Sequence, residues 1–204
     1  VAWVSSVGSV DAPDLTDCPP DRVAVDTSEV RCPHRAAAKK MLAEIDSCRE
    51  AGDSVGGIVT CVCRNVPVGW GEPVFDKLGA RMGSAMLSIP AAKAFDIGSG
   101  FGGCRLRGSG HNDMFVMKAA GLGTMTNRSG GVQGGLSNGE PIVFRVGFKP
   151  TASIAHTQET IDYDGTPVTL EIKGRHDPCV LPRAVPVVEA MAALVLADMA
   201  RIGR

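Results

Sequence analysis

Apolar and polar residues alternate or recur along this chain with periods that place most of its elements. Val1 to Val7 alternates in the manner of a strand that already lies inside a domain. A polar, proline-containing loop follows from Asp11 to Val30. Pro33 then opens a helix in which Ala38, Met41, Leu42, Ile45 and Cys48 recur at helical spacing, with Gly52 as its stop. Ser54 to Arg64 is a β-branched run broken by Gly56-Gly57 and reads as a buried strand. Gly69 to Pro73 turns the chain into a second helix. Val74, Leu78, Met82, Ala85, Met86 and Ile89 are its apolar stripe, and Pro90 ends it. Ala94 to Ile97 and Cys104 to Arg107 read as short strands. Gly108 to Gly131 is polar and glycine-rich without periodicity, which predicts a long mobile loop, the least ordered part of the chain. Ile142, Phe144, Val146 and Phe148 alternate with Val143, Arg145, Gly147 and Lys149 in a half-buried strand. Asp164-Gly165, between Thr157–Tyr163 and Thr166–Lys173, predicts a hairpin. From about Arg183 to Ile202 a helix is apolar almost all round at its centre, which predicts burial between two layers. Strands and helices come in pairs rather than in strict alternation, so the class is α+β and not a doubly wound parallel sheet. No internal repeat or domain boundary is visible, and residues 1–204 read as a single domain.

Composition narrows the function classes. Hydrophobic residues make up 44 % of the 204, charged residues 21 %, and the net charge is −1, an ordinary globular balance. There is no Lys/Arg run or basic stripe to suggest a nucleic-acid partner, and no apolar stretch long enough to suggest a membrane one. The seven cysteines are odd in number and irregularly spaced, which reads as reduced core thiols of an intracellular protein. The chain shows no initiator Met and no signal or transit segment, so it is expected to begin within a longer protein.

The densest chemistry lies in Gly174-Arg175-His176-Asp177-Pro178-Cys179-Val180-Leu181-Pro182-Arg183-Ala184-Val185-Pro186. Pro182 and Pro186 place a helix start here. If the chain is extended before it, Arg175 and Asp177 share one face and His176 takes the other. A cation and a carboxylate beside a helix N-terminus suit a phosphorylated ligand; they equally suit an ion pair that ties a loop to a helix. Gly98 to Gly103 matches the G-x-G-x-x-G dinucleotide pattern, but a poor helix start follows and no acid stands at the required distance, so a sharp turn is the better reading. Asn127 to Gly139 carries two Gly pairs whose backbone N–H groups can approach a ligand, or it is a surface loop. Lys149-Pro150-Thr151-Ala152-Ser153 ends the core strand with one ammonium, two hydroxyls and backbone donors, either a phosphate cradle or a plain strand-ending turn. Cys32-x-His34 and Cys61-x-Cys63 match no zinc module, so no metal is expected, and His111 sits in the predicted mobile loop.

Gly134-Gly135-Leu136-Ser137-Asn138-Gly139-Glu140, then Lys149-Pro150-Thr151, then Gly174 to Pro186 resemble chorismate synthase in that order and spacing. Asp53 to Gly57, Gly71 to Leu78 and Gly110 to Asp113 fit as well, and the wording is nearest the plant and algal form. The resemblance implies a β-α-β sandwich, with helices between antiparallel sheets, assembled as a homotetramer. It implies elimination of phosphate from 5-enolpyruvylshikimate 3-phosphate to give chorismate, with reduced FMN as cofactor and NADPH involved only indirectly, as a reductant of the flavin. It assigns Gly134, Lys149, Pro150, Thr151, Ala152, Ser153 and Arg175 to the flavin and places Asp177 near flavin N5 as the catalytic residue. Pro90 and Ala91 stand where many bacterial members have Asn-Ala, so only backbone contacts to FMN are expected there. The family's N-terminal Gly-Glu-Ser-His-Gly motif, its second His motif and its Gly-Arg-Ser-Ser-Ala-Arg run are absent. The chain therefore reads as a C-terminal portion with much of the flavin site and little of the substrate site. The alternative is a non-catalytic flavin- or phosphate-binding remnant or assembly module. The implied compartment is the chloroplast stroma in a plant or alga, and the cytoplasm otherwise.

Overall fold

In the computed structural model, which describes residues 1–119, 121–174 and 176–202, five antiparallel strands form the central sheet. In chain order they are β1 (Ala2–Val7), β2 (Val10–Asp11), β3 (Gly57–Cys63), β4 (Ala92–Ile97) and, much later, β9 (Ile142–Phe148). Their order across the sheet is β2-β1-β3-β9-β4. Three long helices carry the core: α2 (Arg35–Ala51), which follows a short α1 (Arg22–Asp26), then α3 (Leu78–Leu87) and α6 (Leu181–Ile202). The remaining elements are small. Four-residue helices α4 (Gly100–Gly103) and α5 (Gly108–His111) precede the hairpin β5 (Phe115–Lys118)/β6 (Gly121–Thr124). The pair β7 (Val132–Gln133)/β8 (Leu136–Ser137) precedes β9, and the hairpin β10 (Gln158–Ile161)/β11 (Pro167–Leu170) precedes α6. These antiparallel sheets and layered helices are the α+β class that the pattern predicts.

Strand alternation divides the central sheet into two chemically different faces. The register aligns Val4, Val59, Val146 and Phe95 in one row and Trp3, Thr60, Arg145 and Asp96 in the next. The first row faces the helices: α6 packs on β1 and β3, and α3 on β4 and α6. Gly83 of α3 lets the Phe95 ring come within 3.2 Å of where a Cβ would stand. Beyond Trp3 the second row is polar. Arg145 clamps Asp96 with two hydrogen bonds of 2.8 and 2.9 Å, and the Thr60 hydroxyl donates to Ser5 Oγ at 2.7 Å.

Local chemistry sets the helix ends. His34 caps α2, its Nδ1 accepting from Ala37 N, and Gly52 ends that helix at φ +72°. α6 begins at Leu181, so Pro186 lies within it rather than before it. Pro186 has no N–H for the carbonyl four residues back. The Arg31 guanidinium supplies the missing donor to Pro182 O at 2.7 Å. Glu189, the one charge in the apolar stretch, accepts Ala2 N at 2.7 Å and pairs with Arg22. It thereby ties the buried edge of β1 to α6.

Several expectations need correction. Val74 is not on the second helix's stripe: it is 67 % exposed at φ +57°, and the helix starts at Leu78. Asp11–Val30 contains α1, capped by Asp21, whose carboxylate accepts Ala24 N at 2.7 Å. Cys104–Arg107 is a turn between α4 and α5, not a strand. Gly108–Gly131 is not irregular throughout, because cross-strand pairing in β5/β6 and a buried carboxylate do the work that apolar periodicity does elsewhere. That carboxylate, Asp113, accepts from Thr126 Oγ1 at 2.7 Å and from Arg128 N and Ser129 N at 2.8 Å each. The helix expected to be buried all round, α6, is covered on one side. Val185, Val188 and Ala192 are buried, whereas Val187 and Leu194 are 43 % and 65 % exposed. All seven cysteines are free thiols, but Cys18 and Cys104 are exposed rather than in the core.

Glu189→Ala should cost about 2–3 kcal/mol in urea unfolding, because it orphans the buried Ala2 N–H and removes a charged acceptor. Glu189→Gln should recover part of that loss by keeping an acceptor. Equal stability of Glu189→Ala and the unaltered chain would show that the tie is dispensable.

Candidate functional site

The two ends of the sheet have different chemistry. At the first end, β3 enters the sheet through Gly56-Gly57. A Cβ on Gly56 would lie 2.3 Å from Phe148 O and 2.9 Å from Pro150 N; one on Gly57 would lie 2.1 Å from Ser6 O and 2.6 Å from Leu181 Cδ1. Only glycine permits this approach, which seats the Lys149-Pro150 turn and the start of α6 against β3. Hydrogen bonds then join four segments. Lys149 N donates to Ala91 O at 3.0 Å, and Ala91 itself is held at φ +67°. Ser54 Oγ donates to Thr151 O at 2.6 Å, Thr151 Oγ1 donates to Asp177 O at 3.0 Å, and Val55 N donates to Pro178 O at 2.8 Å. The Asp177 carboxylate pairs with Arg183 in the first turn of α6. His176 turns away to Ile172 O, 3.0 Å from Nε2.

Pro90, Ala91, Lys149–Ser153 and Asp177, separated by up to 87 residues, are thus gathered at one end. Lys149, Pro150, Ala152 and Ser153 are exposed there, and the Lys149 ammonium has no carboxylate partner among the described residues. Arg175 lies outside the described residues. Ser54, Gly56 and Arg183 belong to this construction although motif reading did not select them as site residues. The glycine pair inside an otherwise β-branched run was the available signal.

Two expectations for this region change. Gly134 is not with the others: Gly135 O accepts Leu78 N at 2.8 Å, at the opposite end of β9 from Lys149. Seven residues of antiparallel strand separate those ends, about 20 Å. The α6 N-terminus is also not an open anion site. Pro182 has no N–H, Arg183 N and Ala184 N both donate to Val180 O, and the Leu181 N–H faces the buried Cys179 thiol. The exposed ammonium at this end belongs to the Lys149–Ser153 turn and not to the helix.

At the second end, Gly98 and the 126–131 loop interlock. Ser99 N donates to Arg128 O at 2.7 Å, Gly98 N to Val143 O at 2.9 Å, and Ser99 Oγ lies 2.9 Å from His111 Nε2. Gly98 and Gly100, at φ +59° and +50°, make a turn here rather than a dinucleotide loop. Among the described residues no group of His, Cys, Asp or Glu could hold a metal ion. None of the described helices is long and apolar enough to cross a membrane.

A family model described as chorismate synthase matches residues 1–200. The chain belongs to the chorismate synthase family. A chorismate synthase of Opitutus terrae is 57 % identical over 197 residues, covering 97 % of this chain and 54 % of that protein. The chorismate synthase of Schizosaccharomyces pombe is 58 % identical over 183 residues, covering 89 % and 46 %. A crystal structure of chorismate synthase aligns with a TM-score of 0.76 at 30 % identity, covering 97 % of this chain and 55 % of that one. The chain spans about half the length of the chorismate synthases it matches.

Two measurements test the electrostatics. Burial raises the Cys179 thiol to about 11, against weaker help from the Leu181 N–H. Iodoacetamide at pH 8 should label exposed Cys18 and Cys104 quickly and Cys179 only after unfolding; labelling of Cys179 at the rate of Cys104 would show that it is not buried. For Asp113, burial alone would raise the carboxyl, but hydrogen bonds from Thr126, Arg128 and Ser129 outweigh it and hold it below the usual range. A depressed carboxyl adds stability that is present above its unfolded value, about 4, and is lost as pH falls through the folded value. Asp113→Asn should therefore be less stable at pH 7 and lose less on acidification to pH 3. Parallel acid profiles for the two chains would contradict this.

Proposed function

We propose that this chain supplies the flavin-holding part of a reduced-FMN-dependent lyase that eliminates phosphate from 5-enolpyruvylshikimate 3-phosphate to give chorismate. The observation that supports it best is the convergence of Ala91, Lys149–Thr151 and Asp177 at one sheet end, through hydrogen bonds that none of these segments makes alone. Family membership supports the same reading.

The residues there suit a flavin nucleotide. Lys149 presents an exposed ammonium, and Ser153 and the Ala152 and Ser153 backbone can add donors to a phosphate. Gly56-Gly57 holds their backbone close to β3. Pro90 and Ala91 can offer backbone only. In this reading Arg175 joins the same ligand. Gly134 reaches it only if the bound flavin or a neighbouring subunit spans the distance along β9. A reduced flavin held by these residues would supply transient electron density for the departure of phosphate and a place for the hydrogen lost from the ring, with NADPH at most as its reductant. Asp177, anchored through its carbonyl by Thr151 and through its carboxylate by Arg183, accepts or holds a proton at a carboxylate oxygen. A carboxylate repels phosphate, so its contribution is to the chemistry and not to phosphate affinity. The family's two His motifs are not in this sequence. The substrate, the homotetrameric assembly and the stromal or cytoplasmic location belong to the whole enzyme, and this proposal extends to them.

Titration of the chain with FMN under dithionite should show saturable binding that Lys149→Ala weakens by tenfold or more, since a charge-assisted partner contributes ~1.5–3 kcal/mol. Asp177→Asn should leave that affinity within about threefold. In an enzyme carrying the family's histidine motifs, Asp177→Asn should lower turnover by ~10²–10⁴. The 204-residue chain alone should form no chorismate. Undiminished FMN binding by Lys149→Ala would remove the turn from the site, and near-normal turnover by Asp177→Asn would leave Asp177 as a structural partner of Arg183.

A further inference from the structure

Asp177 and Arg183 pair at the proposed flavin end, and among the described residues theirs is the one ion pair made by the side chains gathered there. Local helix chemistry does not call for that guanidinium. Arg183 sits in the first turn of α6, where the helix dipole favours an anion and disfavours a cation, and that turn contains no acidic residue. Stability of the fold does not call for it either. The Arg183 side chain is 67 % exposed and that of Asp177 30 %, and an ion pair this open to water contributes little to folding.

The backbone nevertheless holds the pair from both sides. Thr151 Oγ1 donates to the Asp177 carbonyl at 3.0 Å, and Val55 N donates to the next carbonyl, Pro178 O, at 2.8 Å. Arg183 N donates to Val180 O at 3.0 Å, and Arg31 takes the neighbouring Pro182 carbonyl at 2.7 Å. Leu181 and Val185 are fully buried and fix the turn that carries Arg183. Both charges are therefore placed before any ligand arrives. Together they add no net charge to this end of the sheet; either alone would add one.

We propose, on the strength of the flavin reading above, that Arg183 cancels the charge of Asp177 beside the flavin ring and so sets the preference of the site for reduced over oxidised FMN. Uptake of two electrons and one proton leaves the ring with one negative charge in mildly basic solution, whereas the oxidised ring is neutral. A bare carboxylate beside the ring opposes that gain of charge, a bare guanidinium favours it, and a closed pair does neither. Arg183 is in this sense a positioning residue: it touches Asp177 and acts through that carboxylate.

The test is the ratio of the dissociation constants for oxidised FMN and for FMN reduced with dithionite, measured on the full 204-residue chain at pH 8. Arg183→Gln should lower that ratio about tenfold, equivalent to a fall of about 30 mV in the two-electron potential of bound FMN. Arg183→Lys, which keeps the charge, should stay within about twofold of the unaltered chain. Asp177→Asn should raise the ratio only about threefold, because the guanidinium it frees is screened by water and salt. Asp177→Asn combined with Arg183→Gln removes both charges and should return the ratio to within about twofold of the unaltered chain. Arg81→Gln makes the same change in net charge at the distant pair with Asp198 and should leave the ratio unchanged. Saturable FMN binding with an unchanged ratio in Arg183→Gln would overturn the proposal and leave the flavin reading in place. So would a ratio in Arg183→Lys or in the double variant as low as in Arg183→Gln, or an equal fall in Arg81→Gln. Absence of saturable FMN binding by the unaltered chain would overturn both.

Discussion

The close backbone crossing at Gly56-Gly57 is the constraint on which this molecule depends. Two missing Cβ atoms let β3 pass within contact of Ser6, Phe148, Pro150 and Leu181 together. Any side chain there has to push against main-chain atoms, which have no rotamer by which to yield. The crossing joins β1 to β9 through β3, sets the Lys149-Pro150 turn at the sheet's edge and brings the start of α6 beneath it. The hydrogen bonds from Ser54 to Thr151 and from Val55 to Pro178 follow directly, since the donors lie one and two residues before the glycines.

From that crossing the sheet is organised by its ends. One end collects the Lys149 turn, Ala91 and Asp177, an arrangement with an exposed ammonium and an aspartate held by Thr151 at its carbonyl and by Arg183 at its carboxylate. The other end is built around a buried carboxylate, Asp113, which fixes a loop that has little apolar content of its own. The helix that links β11 to the chain's end is prepared for burial by exact local compensation. Arg31 replaces the donor that Pro186 lacks, the Cys179 thiol faces the Leu181 N–H, and Glu189 answers an edge N–H of β1. Two of these partners are distant in sequence, Arg31 by 151 residues from Pro182 and Ala2 by 187 from Glu189, whereas Cys179 lies just before Leu181.

The residues carrying the family resemblance lie in loops and element ends, while the periodic segments supply the scaffold. That division explains why a family can be read from short motifs even though their meeting cannot. Lys149-Pro150-Thr151 and the segment from Gly174 to Pro186 are linked through Thr151 Oγ1 and Asp177 O, a contact between a hydroxyl and a carbonyl that leaves no mark in either motif. The pairing of Asp177 with Arg183 is likewise invisible in a reading that pairs Asp177 with Arg175 by alternation, because the chain turns into a helix between Asp177 and Arg183.

By itself the sequence determined the elements whose side chains alternate or recur against water: β9, α2, and α6 to within two residues of its start. Periodicity reports burial, and burial on one side is a local property of these segments. The exposed β10/β11 hairpin was legible from its Asp164-Gly165 turn instead. It also determined the family, through the types and spacing of residues in loops. Only the tertiary structure decided where those loops meet. It separated Gly134 from Lys149 by the length of β9, closed the α6 N-terminus with Cys179, and left one side of α6 uncovered. It gave Gly108–Gly131 a hairpin and a buried carboxylate. The physical reason is common to all of these: they rest on single hydrogen bonds, close backbone approaches and strand length, which depend on which distant atoms arrive and leave no period along the chain.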